Sequence, residues 1–521
     1  MTNTGGPSTP PLPPSQTPGS EHIRRAARLL STHGEPPGAV AAAGWTAAIA
    51  AAVTASTTPE PAGPVLAADA LAAVDADTVA YWSQDDQSEE WKVQTPQAVA
   101  AVAARAATDS GSALHVNPAD MNAAWAMAVG AAAAAEAVAN ANSPARTEPR
   151  TLPGGTVEQT DLVDVSDADG CRVRTSDGRT LLDISSGLFN TPLGHRHPAP
   201  AIGFVAQASK VAAVNPFTTT SAIADRVAGR LLDLFAKPNW HAIFAGSGSE
   251  AIETALRLAM AAGGSAVHAR PNAFHGITAG AASLSTHAAI RGPLEPTPSF
   301  HHQPIHEWTG PGVGVVEPAG ITWGQPTLTE DEIDQLHRFR ASGGVVILDE
   351  VLSGLGRTLW PGLTTALGIP ADIIVLGKGL ANGLTPVSAV LVDPHAIDRI
   401  RQAGQLDHGH THTNHPASLG AALGCLTALT QHAHNPDMLA AALDTASIPA
   451  TTIGWLAVID IPPTDRKLTA KAMLDAGLLG HLPTMVDPVQ RLVIAPPLTT
   501  DQADLDEMMC RLSDVLGRIR A

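Results

Sequence analysis

The chain has 521 residues, of which 44% are hydrophobic, enough for two or three domains around a large core. Its 49 acids against 31 bases give a formal net charge of −18, which argues against a nucleic-acid backbone or an anionic membrane as partner. Cys171, Cys425 and Cys510 are few, odd in number and far apart, a usage that argues against a disulfide framework and for a reducing, cytoplasmic setting.

Residues 1–20 have no basic start followed by an apolar run and read as a disordered tail, not a secretory signal. From Glu21 the pattern turns helical, with Ile23, Ala26, Ala27 and Leu30 at i, i+3, i+4 and i+7. The uncharged run from Gly38 to Ser56 carries Trp45, Ile49 and Val53 on one face; its alanines contribute little to membrane insertion, so a buried helix is the better reading. Thr95-Pro96 and Asn117-Pro118 each set a capping residue before a proline at the first helical position. Residues 21–142 are thus expected to form an alanine-rich helical region, and 143–155, rich in Pro and Gly, a linker. Nothing in this third of the chain carries chemistry.

The remainder reads as α/β. Leu162 to Leu182 alternates in short segments broken by Asp169-Gly170 and Asp177-Gly178, the pattern of hairpins. His241–Ala245 is a short strand, and Gly246-Ser247-Gly248-Ser249-Glu250-Ala251 turns it into a helix with Ile252, Ala255, Leu256 and Ala259 on one side. The free N–H groups and dipole at that helix start suit a phosphate. Val313–Val316 is a strand ending in Glu317-Pro318, and Val345–Leu348 delivers Asp349 to its carboxyl end. The run Asp372-Ile373-Ile374-Val375-Leu376 does the same for Lys378, which the flanking glycines throw off the strand. Open α/β sheets bind ligands at that end, so an acid and an amine delivered there together are candidates for one site. His408, His410, His412 and His415 lie close enough in sequence for a metal site to be considered.

DEVLSGLGRTLWPG (349–362), ADIIVLGKGLANGLTPVSAVLV (371–392) and the upstream GSGSEA (246–251) together resemble the class III aminotransferases, enzymes of fold type I that depend on pyridoxal 5'-phosphate (PLP). The resemblance implies a mostly parallel central sheet wrapped by helices over 156–426, including the small hairpin unit, with a small α+β domain over 427–521. It implies amino transfer between an amine or amino acid and a carbonyl compound through a Schiff base on Lys378, with Asp349 on the pyridine nitrogen. Gly248 and Ser249 would take the phosphate. Phe274, at a position usually held by tyrosine, would stack on the ring beside His275, with Val351 on the opposite face and Glu317 close by.

In the family pattern matched by Gly409 to Pro416 a threonine reaches the phosphate of the neighbouring subunit. This assigns Thr411, with His410 beside it, implies a homodimer with a shared site, and displaces the metal reading. Phe189 falls where an aromatic residue lines the substrate pocket. His481 stands where many members carry an arginine for a substrate carboxylate, which points to a carboxylate-free end on a larger, biosynthetic substrate. The resemblance does not extend over residues 1 to about 154, and it weakens beyond Leu426. An aminomutase, racemase or decarboxylase on the same fold, or a scaffold without catalysis, are the alternatives.

Overall fold

The computed structural model describes residues 163–520 apart from 209, 265, 293–298, 326, 405, 407, 434, 463–465 and 484–489. The expected tail, helical region and linker fall on residues 1–155, outside the described residues. The first elements are β1 (Val165–Asp169), β2 (Arg172–Thr175) and β3 (Thr180–Asp183), an antiparallel meander. It turns at Gly170 and Gly178, whose φ angles of 55° and 87° are those a glycine adopts without strain. This is the hairpin unit read from the sequence.

Helices α1 (Pro198–Ala208) and α2 (Ala222–Leu234) lead into β4 (His241–Ala245), α3 (Gly248–Gly263), β5 (Val267–Ala269), β6 (Phe300–His302) and β7 (Val313–Val316). Then come α4 (Glu330–Ala341), β8 (Val345–Asp349), β9 (Ile373–Leu376), β10 (Ser388–Val392), α5 (Pro394–Ala403) and α6 (Pro416–Gln431). The seven strands β4 to β10 form one sheet in the order β4-β10-β9-β8-β7-β5-β6. Neighbours from β9 to β6 run parallel, and β10 runs against both β9 and β4.

Every residue of β7, β8, β9 and β10 is buried, as a sheet covered on both faces requires, and this is why their sequences are continuous Val/Ile/Leu runs. One face, with Val315, Ile347, Val375 and Val390, packs on Ile252, Ala255, Leu256 and Ala259 of α3. The other, with Val316, Leu348, Leu376 and Leu391, joins Val227 and Leu231 of α2 and Leu419, Ala422 and Leu426 of α6 in the larger core. Thr329 and Glu332 close a capping box at the start of α4.

Helices α1 and α6 cross with backbone on backbone. A Cβ on Gly203 would strike the carbonyl of Gly420, and one on Gly420 the carbonyl of Gly203. Only glycine permits this approach.

The last segment holds α7 (Met438–Thr445), β11 (Thr451–Ile453), β12 (Leu456–Ile461), α8 (Arg466–Asp475), β13 (Leu478–Leu479), β14 (Gln490–Ile494) and α9 (Gln502–Arg520). β11, β12 and β14 form an antiparallel sheet, whereas β13 pairs parallel with β3 and so extends the hairpin unit. The buried guanidinium of Arg357 ties these parts together by donating to the Pro496 carbonyl at 2.6 Å, the Trp455 carbonyl at 3.3 Å and Ser186 Oγ at 3.3 Å. Burial pushes it down to about 10. No described helix is long and apolar enough to cross a membrane.

Candidate active site

The adjacent parallel strands β7, β8 and β9 carry Glu317, Asp349 and Lys378 at their carboxyl ends. Gly377 breaks β9, and Lys378 opens a short 3₁₀ turn with its backbone in the left-handed region at φ 40°. That conformation is costly for a non-glycine residue and marks a constrained position. Burial depresses the Lys378 amine below its ordinary value, while Asp349 and Glu317 act in the opposite direction.

Asp349 is 6% exposed. Its Oδ2 lies 2.8 Å from Nδ1 of His275, and its Oδ1 accepts from the Val351 N–H at 3.0 Å. Burial opposes a charged His275, but the hydrogen bond and charge of Asp349, then the charge of Glu317, outweigh it and raise the imidazole above its usual range. Burial pushes Glu317 up to about 7, with Asp349 adding to the rise. Its Oε2 accepts from the Phe274 N–H at 3.0 Å.

At the start of α3 the first N–H groups have no acceptor within the helix. Ser247 satisfies the Glu250 N–H at 3.3 Å, and Ser249 Oγ accepts from the Ile277 N–H at 3.2 Å. Val351 rests against two glycines: a Cβ on Gly248 would lie 3.0 Å from its Cγ1, and one on Gly377 3.2 Å. Gly248, Gly377 and Val351 thus form a tight floor between the helix start and Lys378.

The Phe189 ring centre is 6.0 Å from Lys378 Nζ, and the His481 ring stands edge-on to Phe189 at 5.6 Å. Burial, then the charges of Arg466 and Lys378, push His481 down to about 4. The structure therefore brings Phe189, His481, Lys378, Asp349, His275, Glu317 and Phe274 into one neighbourhood. Thr411 is exposed and no hydrogen bond among the described residues joins it to that group, while the His410 N–H donates to Thr413 Oγ1 at 2.9 Å. Among the described residues no cluster of three or more His, Cys, Asp or Glu side chains is arranged to hold a metal ion.

One contact had no signal in the sequence. The Phe274 ring stacks on Trp323 at 5.1 Å and 11°, and nothing in the segment after Glu317-Pro318 announces a partner so distant along the chain.

The family model of the class III aminotransferases matches residues 155–308 and 316–516. An acetylornithine aminotransferase of Streptomyces clavuligerus is 28% identical over 373 residues, covering 67% of this chain and 90% of the relative. An omega-aminotransferase of Caulobacter vibrioides is 23% identical over 415 residues, covering 68% and 93%. The solved structure of an (S)-enantioselective omega-transaminase from Thermomicrobium roseum superposes with a TM-score of 0.65 at 22% identity, covering 72% of this chain and 97% of that one. The match bears out the fold expected from the sequence, fold type I. This chain belongs to the class III aminotransferases, PLP-dependent enzymes that transfer an amino group between an amine or amino acid and a carbonyl compound.

Proposed function

We propose that Lys378 is the residue that attaches PLP covalently and that Asp349 serves its ring nitrogen. The observation that carries this reading is the meeting of Lys378, Asp349 and Glu317 at the ends of three adjacent parallel strands, with His275 on Asp349. The residues present fit the cofactor: an amine of depressed basicity, a buried acid, a helix start with unsatisfied N–H groups, and a glycine floor that any Cβ would fill.

When bound, PLP draws electrons from the carbon bearing the substrate amine, provided its ring nitrogen stays protonated. Asp349 holds that proton through its negative charge, and His275 fixes the carboxylate that does so. Lys378, with its basicity lowered, is a competent nucleophile and moves a proton as general base and acid. Gly248 and Ser249 take the phosphate at the start of α3. Phe274 and Val351 would hold the ring between them, and Glu317 accepts from the Phe274 N–H and fixes that part of the backbone. Phe189 and His481 line the side where substrate enters.

The site is shared across a homodimer, with Thr411 and His410 serving the neighbouring subunit's phosphate. Support comes from exposed apolar side chains next to site residues: Leu188 at 49% and Ile277 at 74%, with Phe217 at 66% on the same chain. Lys378→Ala is expected to abolish turnover and the visible absorption of the bound cofactor. Mixing it with Thr411→Ala under subunit exchange should restore part of the activity, because one site of each heterodimer carries neither substitution. Retained turnover in Lys378→Ala would remove that residue from its role; absent recovery despite exchange would remove the shared site.

A further inference from the structure

We propose that Trp323 is a positioning residue for the cofactor, holding the Phe274 ring flat against the pyridine site from behind. The proposal rests on the reading above, in which Phe274 covers one face of the cofactor ring.

A phenylalanine at this place has no hydroxyl with which to tether its ring, and among the described residues there is no tyrosine, the sole one being Tyr81. Its orientation must come from packing. The stack on Trp323 at 5.1 Å is close to parallel, at 11°, the offset geometry aromatic pairs favour. Trp323 is itself held. It ends the 3₁₀ turn Ile321–Trp323, which Gly324 closes in the left-handed conformation at φ 80°. The Arg491 guanidinium lies against that glycine, where a Cβ would meet its atoms at 3.0 to 3.2 Å. The His287 ring lies 6.3 Å from the indole, inclined to it at 64°.

The chain on either side of that turn grips the Phe274 loop at two further points. Glu317 accepts from the Phe274 N–H at 3.0 Å, and Gln325 Nε2 donates to the Pro271 carbonyl. The backbone is therefore held at Pro271 and at Phe274 itself, and the remaining freedom is rotation of the Phe274 ring. Trp323 removes it.

The test titrates PLP into full-length apoprotein of the wild type and of Trp323→Ala, Trp323→Phe, Phe274→Ala and the double alanine variant. Binding is read by equilibrium dialysis, and the circular dichroism of the bound cofactor is recorded in the visible band. Trp323→Ala should weaken PLP by about threefold to tenfold, the scale of one aromatic stack, and diminish the visible dichroism. Trp323→Phe should restore most of both. In the Phe274→Ala background, removing Trp323 should cost nothing more. Equal losses in both backgrounds would show that Trp323 acts through the fold at large and overturn the proposal. Weakening by Phe274→Ala with none by Trp323→Ala would overturn it too. If Phe274→Ala itself leaves affinity unchanged, the underlying reading of Phe274 fails and the proposal with it. Should Trp323→Ala not fold, Trp323→Leu keeps bulk while losing the aromatic face and is expected to bind as weakly.

Discussion

Nδ1 of His275 lies 2.8 Å from Oδ2 of Asp349 inside the protein, so the acid at the end of β8 has a partner supplied by the chain itself. Two substitutions separate the roles. His275→Leu leaves Asp349 buried without that partner, and turnover is expected to fall by about 10²-fold with cofactor content preserved. Asp349→Asn keeps the shape but, on the role proposed for Asp349, could not hold a ring proton, and the expected loss is larger, about 10³-fold or more. Steady-state kinetics with the cofactor content of each variant checked by absorbance decides both.

Glu317 supplies a prediction on pH and stability. Its folded-state value is raised to about 7 from an ordinary 4.5. Such a group stabilises the apoprotein fully below its unfolded value, and the contribution is lost as pH rises through its folded value. Glu317→Gln should therefore flatten the fall in apoprotein Tm across the interval from about pH 4.5 to about pH 7. An unchanged profile by scanning fluorimetry would mean that Glu317 does not titrate there.

His268 gives the opposite sign. It is 7% exposed, both ring nitrogens lack a hydrogen-bond partner among the described residues, and His301 stacks on it at 5.4 Å. Burial, then His301, lowers its value below 6.5. Stability from this group is present above the unfolded value and lost as pH falls through the folded one. His268→Phe should raise Tm throughout, by removing unpaired polar atoms worth about 1–3 kcal/mol. The gain should be larger near pH 5 than near pH 8, which thermal melts at the two pH values would show.

His481 supplies a prediction on substrate choice. At about 4 it is neutral near neutral pH and offers one hydrogen bond, where an arginine would offer a charged fork. The wild type is expected to favour amines whose far end carries no carboxylate. His481→Arg should raise kcat/KM for carboxylate-bearing amines relative to neutral ones by about tenfold, the scale of one charge-assisted bond. Matched pairs of amines differing only at that end give the ratio.

Much of this was legible because it is local. The buried strands announce themselves as continuous Val/Ile/Leu runs, and Asp349 and Lys378 each sit at the end of one, so position in sequence nearly determines position in the sheet. The start of α3 is likewise written in its Gly-Ser turn and the Ile252, Ala255, Leu256 and Ala259 stripe. Other features depend on partners far along the chain. The two-residue β13 is too short for any period to show, and it exists through pairing with β3. Trp323 meets Phe274 across a loop whose course no local pattern sets. The partnership of His275 with Asp349 is of the same kind: the sequence marked both residues but not the bond between them.

The glycine crossing of α1 and α6 extends beyond packing. Ala199 meets Gly424 as Gly203 meets Gly420, so the two helices run antiparallel, and the segments that enter them lie at opposite ends of the crossing. One of those segments carries Phe189; the other carries Thr411 and enters α6 at Pro416. With backbone set against backbone there and the Gln207 side chain already close, a single methyl at residue 420 would act as a wedge. It would displace the segments that carry Phe189 and Thr411 together, at a distance from both.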